Sequence, residues 1–162
     1  MSIPRDEYLE TAGVSPEADD DGGPDGDVLA QACADAMWAG DQASAGLGMK
    51  LLEIGPGYAM VAMEITPAMA NGHGIAHGGY IFTLADSAFA FACNSRGDKA
   101  VAQQGAITFI RPGRVGDRLV AAAHEVSLFG RSGIYDVTVS AAEETVAEFR
   151  GHSRLVGGRW VE

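Results

Sequence analysis

At 162 residues the chain has the length of one domain, and with 47% of its residues hydrophobic it can bury a substantial core. Its formal charge of −11 offers no basic face for phosphate backbones, which argues against a nucleic-acid partner. No basic segment followed by an apolar run opens the chain, and the central apolar stretch is interrupted by Asp86 and too short to span a bilayer. The expectation is a protein with no membrane partner that works in the cytoplasm.

Residues 1–27 hold nine acidic side chains against Arg5 alone, which places −8 of the charge in the leader and leaves −3 for the rest. With its Gly and Pro and few large apolar groups, this leader reads as an acidic, disordered tail, and 28–162 as a single domain. Val28 to Trp38 is predicted to be a short helix, with Leu29, Cys33 and Met37 on one apolar stripe and Gly40 near its end. Leu47 to Ile54 and Tyr58 to Ile65 read as two strands joined at Gly55-Pro56-Gly57, a turn that folds them into a hairpin. Thr66-Pro67-Ala68-Met69 then breaks the strand and leads into a glycine-rich loop. Cys33 and Cys93 form neither a CxxC pair nor part of a His-rich segment, and are expected to be free buried thiols.

The stretch from Asn71 to Gly97 organises the chain: a glycine-rich turn runs straight into a long, almost wholly apolar helix. Asp86 is the one charged side chain between Tyr80 and Cys93. A carboxylate on a buried helix is costly unless it is paired, hydrogen-bonded or kept for chemistry, and the residues alone leave these readings open. Ahead of the helix, His77-Gly78-Gly79 forms a side-chain-poor turn whose free N–H groups suit an oxyanion. Gly78 and Asp86 lie eight residues apart, which along a helix is roughly 12 Å. One carbonyl cannot be reached by both, since each must come within roughly 3 Å of it. If both serve one site, a second copy of the chain supplies one of them, and two such helices run antiparallel in a dimer.

After the helix, Val101 to Ile110 is predicted as a strand ended by Pro112-Gly113. Arg118 to Leu128, Gly133 to Ala141 and Thr145 to Leu155 follow as three more, with turns at Phe129-Gly130 and Glu143-Glu144. These elements suit an α+β fold: one antiparallel sheet curled around the central helix. His73 and His77 stand four apart, but the intervening Gly74 opposes a regular helix and no third ligand is nearby, so no metal site is expected. His124 and His152 lie in strands and read as ordinary surface or interface residues. Arg111, Arg114 and Arg131 with Ser132 sit at strand ends or turns, where a cationic rim could meet phosphates.

The run NGHGIAHGGYIFTLADSAFAFACNSRG, followed by ITFIRPGRVGDRL and GIYDVTV, closely resembles the hotdog-fold acyl-CoA thioesterases of the phenylacetic-acid-degradation (PaaI) type, over about Leu47 to Gly158. The resemblance implies a hotdog fold and hydrolysis of an acyl-CoA, with coenzyme A as part of the substrate and no cofactor. It implies that Asp86 acts as nucleophile or general base, and that Gly78, helped by His77, holds the thioester oxygen. Asn71 would orient water or substrate, and Gly79, Arg111, Arg114, Arg131 and Ser132 would contact the substrate. The resemblance also implies sites shared between subunits of a dimer or tetramer, with an aryl- or hydroxyaryl-acetyl group as the acyl portion. Met60, Met63, Met69, Tyr80 and Phe82 could line an adaptable apolar pocket, or simply pack the core. A hotdog hydratase would carry a His one turn beyond the carboxylate, which Asp86 lacks, and a non-catalytic acyl-CoA-binding protein would lose the carboxylate, which this chain keeps.

Overall fold

The computed structural model describes residues 24–162, and most of the acidic leader lies outside the described residues. Helix α1 (Pro24–Trp38) begins four residues ahead of the expected domain start. Pro24 opens it without leaving a donor unpaired, and Asp25 and Asp27 place negative charge at its positive end. A five-residue helix α2 (Gln42–Gly46), which the sequence pattern did not announce, follows; Asp41 caps it by accepting the Ser44 N–H at 2.9 Å.

Six strands follow: β1 (Lys50–Gly55), β2 (Tyr58–Glu64), β3 (Asp98–Phe109), β4 (Arg118–Phe129), β5 (Ser132–Ala141) and β6 (Glu144–Arg159). They form one antiparallel sheet in the order β1-β2-β4-β5-β6-β3. The expected β5–β6 turn at Glu143-Glu144 lies one residue earlier, because Ala142 takes the left-handed conformation at φ 52° and Glu144 already belongs to β6. The concave face is set by alternation: Leu119, Ala121 and Ala123 of β4 and Tyr135, Val137 and Val139 of β5 are buried, while their neighbours are not.

Helix α3 (Gly78–Asn94) lies across that face, packed against β2 to β6, and its Leu84, Ala85, Ala88 and Phe89 are fully buried. Its far end is held by Asn94, which donates to the carbonyls of Ala90 and Ala100 and accepts from the Ala100 N–H at 2.8 Å and the Trp160 indole at 2.6 Å. Cys33 and Cys93 are free and buried. Strand β3 is the sheet edge beside α3 and is exposed along most of its length, Val101 and Phe109 each to 51%. A bulge at Gln103 interrupts its pairing with β6, between Ala102 and Gln104.

Candidate active site

The front of α3 is built by the loop that precedes it. Asn71 closes that loop: its Oδ1 accepts the N–H groups of His73 (2.9 Å) and Ile75 (3.4 Å), and its main chain exchanges a hydrogen bond with Ile75. Its side-chain NH2 remains as the group able to donate to water or substrate. The loop is tied down on both sides, by the Ala76 N–H to the Gly113 carbonyl (2.9 Å) and the His77 N–H to the Met69 carbonyl (2.8 Å).

His77 is the N-cap of α3, with extended backbone, and its Nδ1 accepts the Gly79 N–H at 2.9 Å. With Nδ1 accepting, the neutral tautomer carries its proton on Nε2, on a ring that belongs to an exposed residue. The cap consumes the Gly79 amide, so of the two glycines only Gly78 presents an N–H without a partner among the described residues. The HGG turn thus divides its two amides: the Gly79 N–H closes the cap, and the Gly78 N–H is left open.

Asp86 lies two turns further along the same unbroken helix, half-buried on the stripe that includes Phe82 and Ala90 and borders β3. Among the described residues no hydrogen bond or ion pair reaches its carboxylate, and burial pushes its pKa above the ordinary carboxylate value. A half-buried carboxyl left without a partner is a candidate for chemistry. Cys93, also on this helix, is no rival nucleophile: burial first, then the Asp86 charge, push its thiol up to about 12, so it stays protonated at neutral pH.

The arginines divide into two groups. Arg111 and Arg114 line an open cavity of about 590 Å³, together with Arg118, which the sequence pattern did not single out. Arg118 follows Asp117, so the pair reads as self-neutralising; in the fold Asp117 instead accepts the Arg114 main-chain N–H at 2.7 Å. Arg111 stands 3.9 Å from Glu144. Arg131 and Ser132 lie elsewhere. Arg131 donates to the Leu155 carbonyl and Arg111 to that of Thr145, ten residues back along β6, a separation of roughly 33 Å. One protomer therefore does not gather Arg111, Arg114, Arg131 and Ser132 into a single rim. The methionines are core as well: Met60, Met63 and Met69 are all at least 94% buried, and Phe82 stacks edge-on against Phe149 at 5.3 Å.

Among the described residues, no group of three or more His, Cys, Asp or Glu side chains gathers where a metal ion could be held, and no helix is long and apolar enough to cross a membrane. Against this geometry, the thioesterase superfamily profile matches residues 73–148, which contain the His77 cap, the Gly78 amide and Asp86. The acyl-coenzyme A thioesterase PaaI of Escherichia coli is 44% identical over 126 residues, 77% of this chain and 90% of that one. The chain belongs to the thioesterase superfamily, as a PaaI-type hotdog enzyme. The structure of E. coli PaaI, from the phenylacetic acid degradation operon, superposes on this thioesterase with a TM-score of 0.81 and 41% identity, over 83% of this chain and 98% of that one. A Streptococcus mutans protein bound to acetyl CoA is 30% identical to this thioesterase, with a TM-score of 0.66 over 68% of this chain and 90% of its own.

Proposed function

We propose that the chain hydrolyses an acyl-CoA of the aryl- or hydroxyaryl-acetyl type to coenzyme A and the free acid, in a site that two protomers share. The observation that carries the shared site is the placing of an unpartnered carboxylate, Asp86, eight residues along an unbroken helix from the free Gly78 amide, roughly 12 Å away. The Gly78 N–H and the positive end of α3 polarise the thioester carbonyl, with the His77 Nε2–H as a second donor. Asp86 of the partner subunit then either attacks the carbonyl carbon, giving an anhydride that water opens, or takes a proton from a water that attacks directly, with the Asn71 NH2 orienting it. In both routes the C–S bond breaks and the thiolate leaves and is protonated, so one water is consumed for each acid and thiol formed.

The long exposed edge of β3, flanked by the Asp86 stripe of α3, supports pairing with a second β3 that would bring two α3 helices side by side in opposite directions. Such dimers pair again into tetramers. Arg111, Arg114 and Arg118 meet the phosphates of the nucleotide, and Arg131 and Ser132 reach a substrate only from the other subunit. Coenzyme A enters as part of the substrate, so no cofactor is needed, and the substrate pool is that of the cytoplasm.

Two measurements test this reading. Asp86→Asn lowers thiol release from phenylacetyl-CoA by about 10²-fold or more, the scale of a positioned acid or base, with folding retained. Co-expression of Asp86→Asn with Gly78→Val chains, each inactive alone, restores up to half the activity per heterodimer, because one of its two sites receives both lesions and the other none. Heterodimers seen by mass spectrometry, with a folded Gly78→Val chain and no rescue, would overturn the shared site. Undiminished turnover in Asp86→Asn would overturn the catalytic role.

A further inference from the structure

Gly78 has a neighbour that the mechanism above does not use. A Cβ built on Gly78 would lie 2.8 Å from Cζ of Phe109 and 3.2 and 3.3 Å from its Cε1 and Cε2, so the tip of that ring rests directly on the Gly78 backbone. The ring is not core. Phe109 is 51% exposed, at the last position of the edge strand. A half-exposed aromatic ring thus lies against the backbone of the residue whose amide, among the described residues, has no protein partner, beside whatever that amide binds.

The surroundings of Phe109 differ on its two sides. Going back along the same face of β3, the positions are Ile107, packed against the core, and Gly105, which adjoins Phe82 and Phe149, so this side is apolar. Going forward, Arg111, Arg114 and Arg118 line the open cavity. Phe109 thus stands where an apolar strip gives way to a charged one, three arginines with Asp117 and Glu144 among them, with the Gly78 amide beside it. A thioester held at that amide has the same division, an acyl group on one side of the carbonyl and an anionic nucleotide carrier on the other.

We propose that Phe109 is a specificity-determining residue: its exposed face stacks on the aryl ring of the acyl group and sets that ring on the apolar side of the carbonyl while the carrier runs toward the arginines. The inference rests on the thioesterase reading and adds the residue that sets its acyl preference. Aromatic pairing adds about 0.5–1.5 kcal/mol beyond area burial, so the expected discrimination is up to about tenfold.

The test compares phenylacetyl-CoA with hexanoyl-CoA, an aliphatic ester of similar length, by thiol release in wild type, Phe109→Leu, Phe109→Ala and Phe109→Tyr. The ratio of kcat/KM for the aryl to the aliphatic ester is expected to fall about tenfold in Phe109→Ala and severalfold in Phe109→Leu, and to hold in Phe109→Tyr. Phe109→Leu keeps apolar bulk, so it carries the test should Phe109→Ala fold poorly. A ratio that stays unchanged in Phe109→Leu or Phe109→Ala, whether both rates fall together or neither does, overturns the inference and leaves the thioesterase reading intact. A folded wild-type protein that releases thiol from neither ester overturns both.

Discussion

At the scale of single residues, Asp86 links catalysis to stability. Its folded-state pKa is raised by burial, so between the unfolded and folded values the native chain holds more proton than the unfolded one. The stability this contributes is full below the unfolded value and is lost as pH rises through the folded value. Asp86→Asn has no such titration. In thermal unfolding its Tm relative to wild type is expected to be higher at neutral pH than below the carboxylate range, even as turnover collapses; a pH-independent difference would mean that the carboxyl is not strained by burial. With Asp86 as the proposed nucleophile or base, the acid limb of the wild-type pH–rate profile is expected above the ordinary carboxylate range. Gly78 is constrained in a different way. A methyl group there would push the Phe109 ring tip aside, so Gly78→Ala is expected to cost stability in the wild-type background and less beside Phe109→Ala. A double-mutant cycle in urea should return a coupling of about 1 kcal/mol, and additivity would mean that the ring yields freely.

At the scale of elements, α3 is a rod fixed at both ends: by the His77 cap and its tie to Met69 in front, and by Asn94 behind. Asn94 is 2% exposed, and Asn94→Ala strands the Ala100 N–H and the Trp160 indole together. Urea denaturation should record a loss of about 2–3 kcal/mol, the cost of leaving buried polar groups unpaired. The helix itself was legible in the sequence because fourteen residues with one charge admit few other readings, and the strands because alternation and glycine turns bracket them. What escaped did so for physical reasons. Helix α2 is too short to display a period. Strand β6 runs on to Arg159 through Gly157 and Gly158, both at positive φ, because the Trp160 contacts and an Arg159–Asp98 pair hold it in place, whereas glycines in a sequence read as an end. In the candidate site, the shared helix of Gly78 and Asp86 and the place of His77 at its front were legible because local spacing defines them, while the division of the arginines and the position of Phe109 arise from long-range strand pairing, which no local pattern records.

At the scale of the whole molecule, the proposed shared site makes activity depend on the open edge of β3. A cation placed there opposes strand addition, so Val101→Lys is expected to weaken self-association and lower activity in proportion, with Asp86 untouched. Sedimentation and thiol release over a range of protein concentrations would check it; a fully active monomer would contradict the shared site. The eight-residue interval between Gly78 and Asp86 has one more consequence in the proposed dimer. Both sites are framed by the same two antiparallel rods, so sliding one rod along the other misaligns the two sites by the same distance. Neither can be tuned alone. The pair has one common setting, and a substrate that draws one site into alignment prepares the other, a mechanical route to cooperativity that needs no hinge.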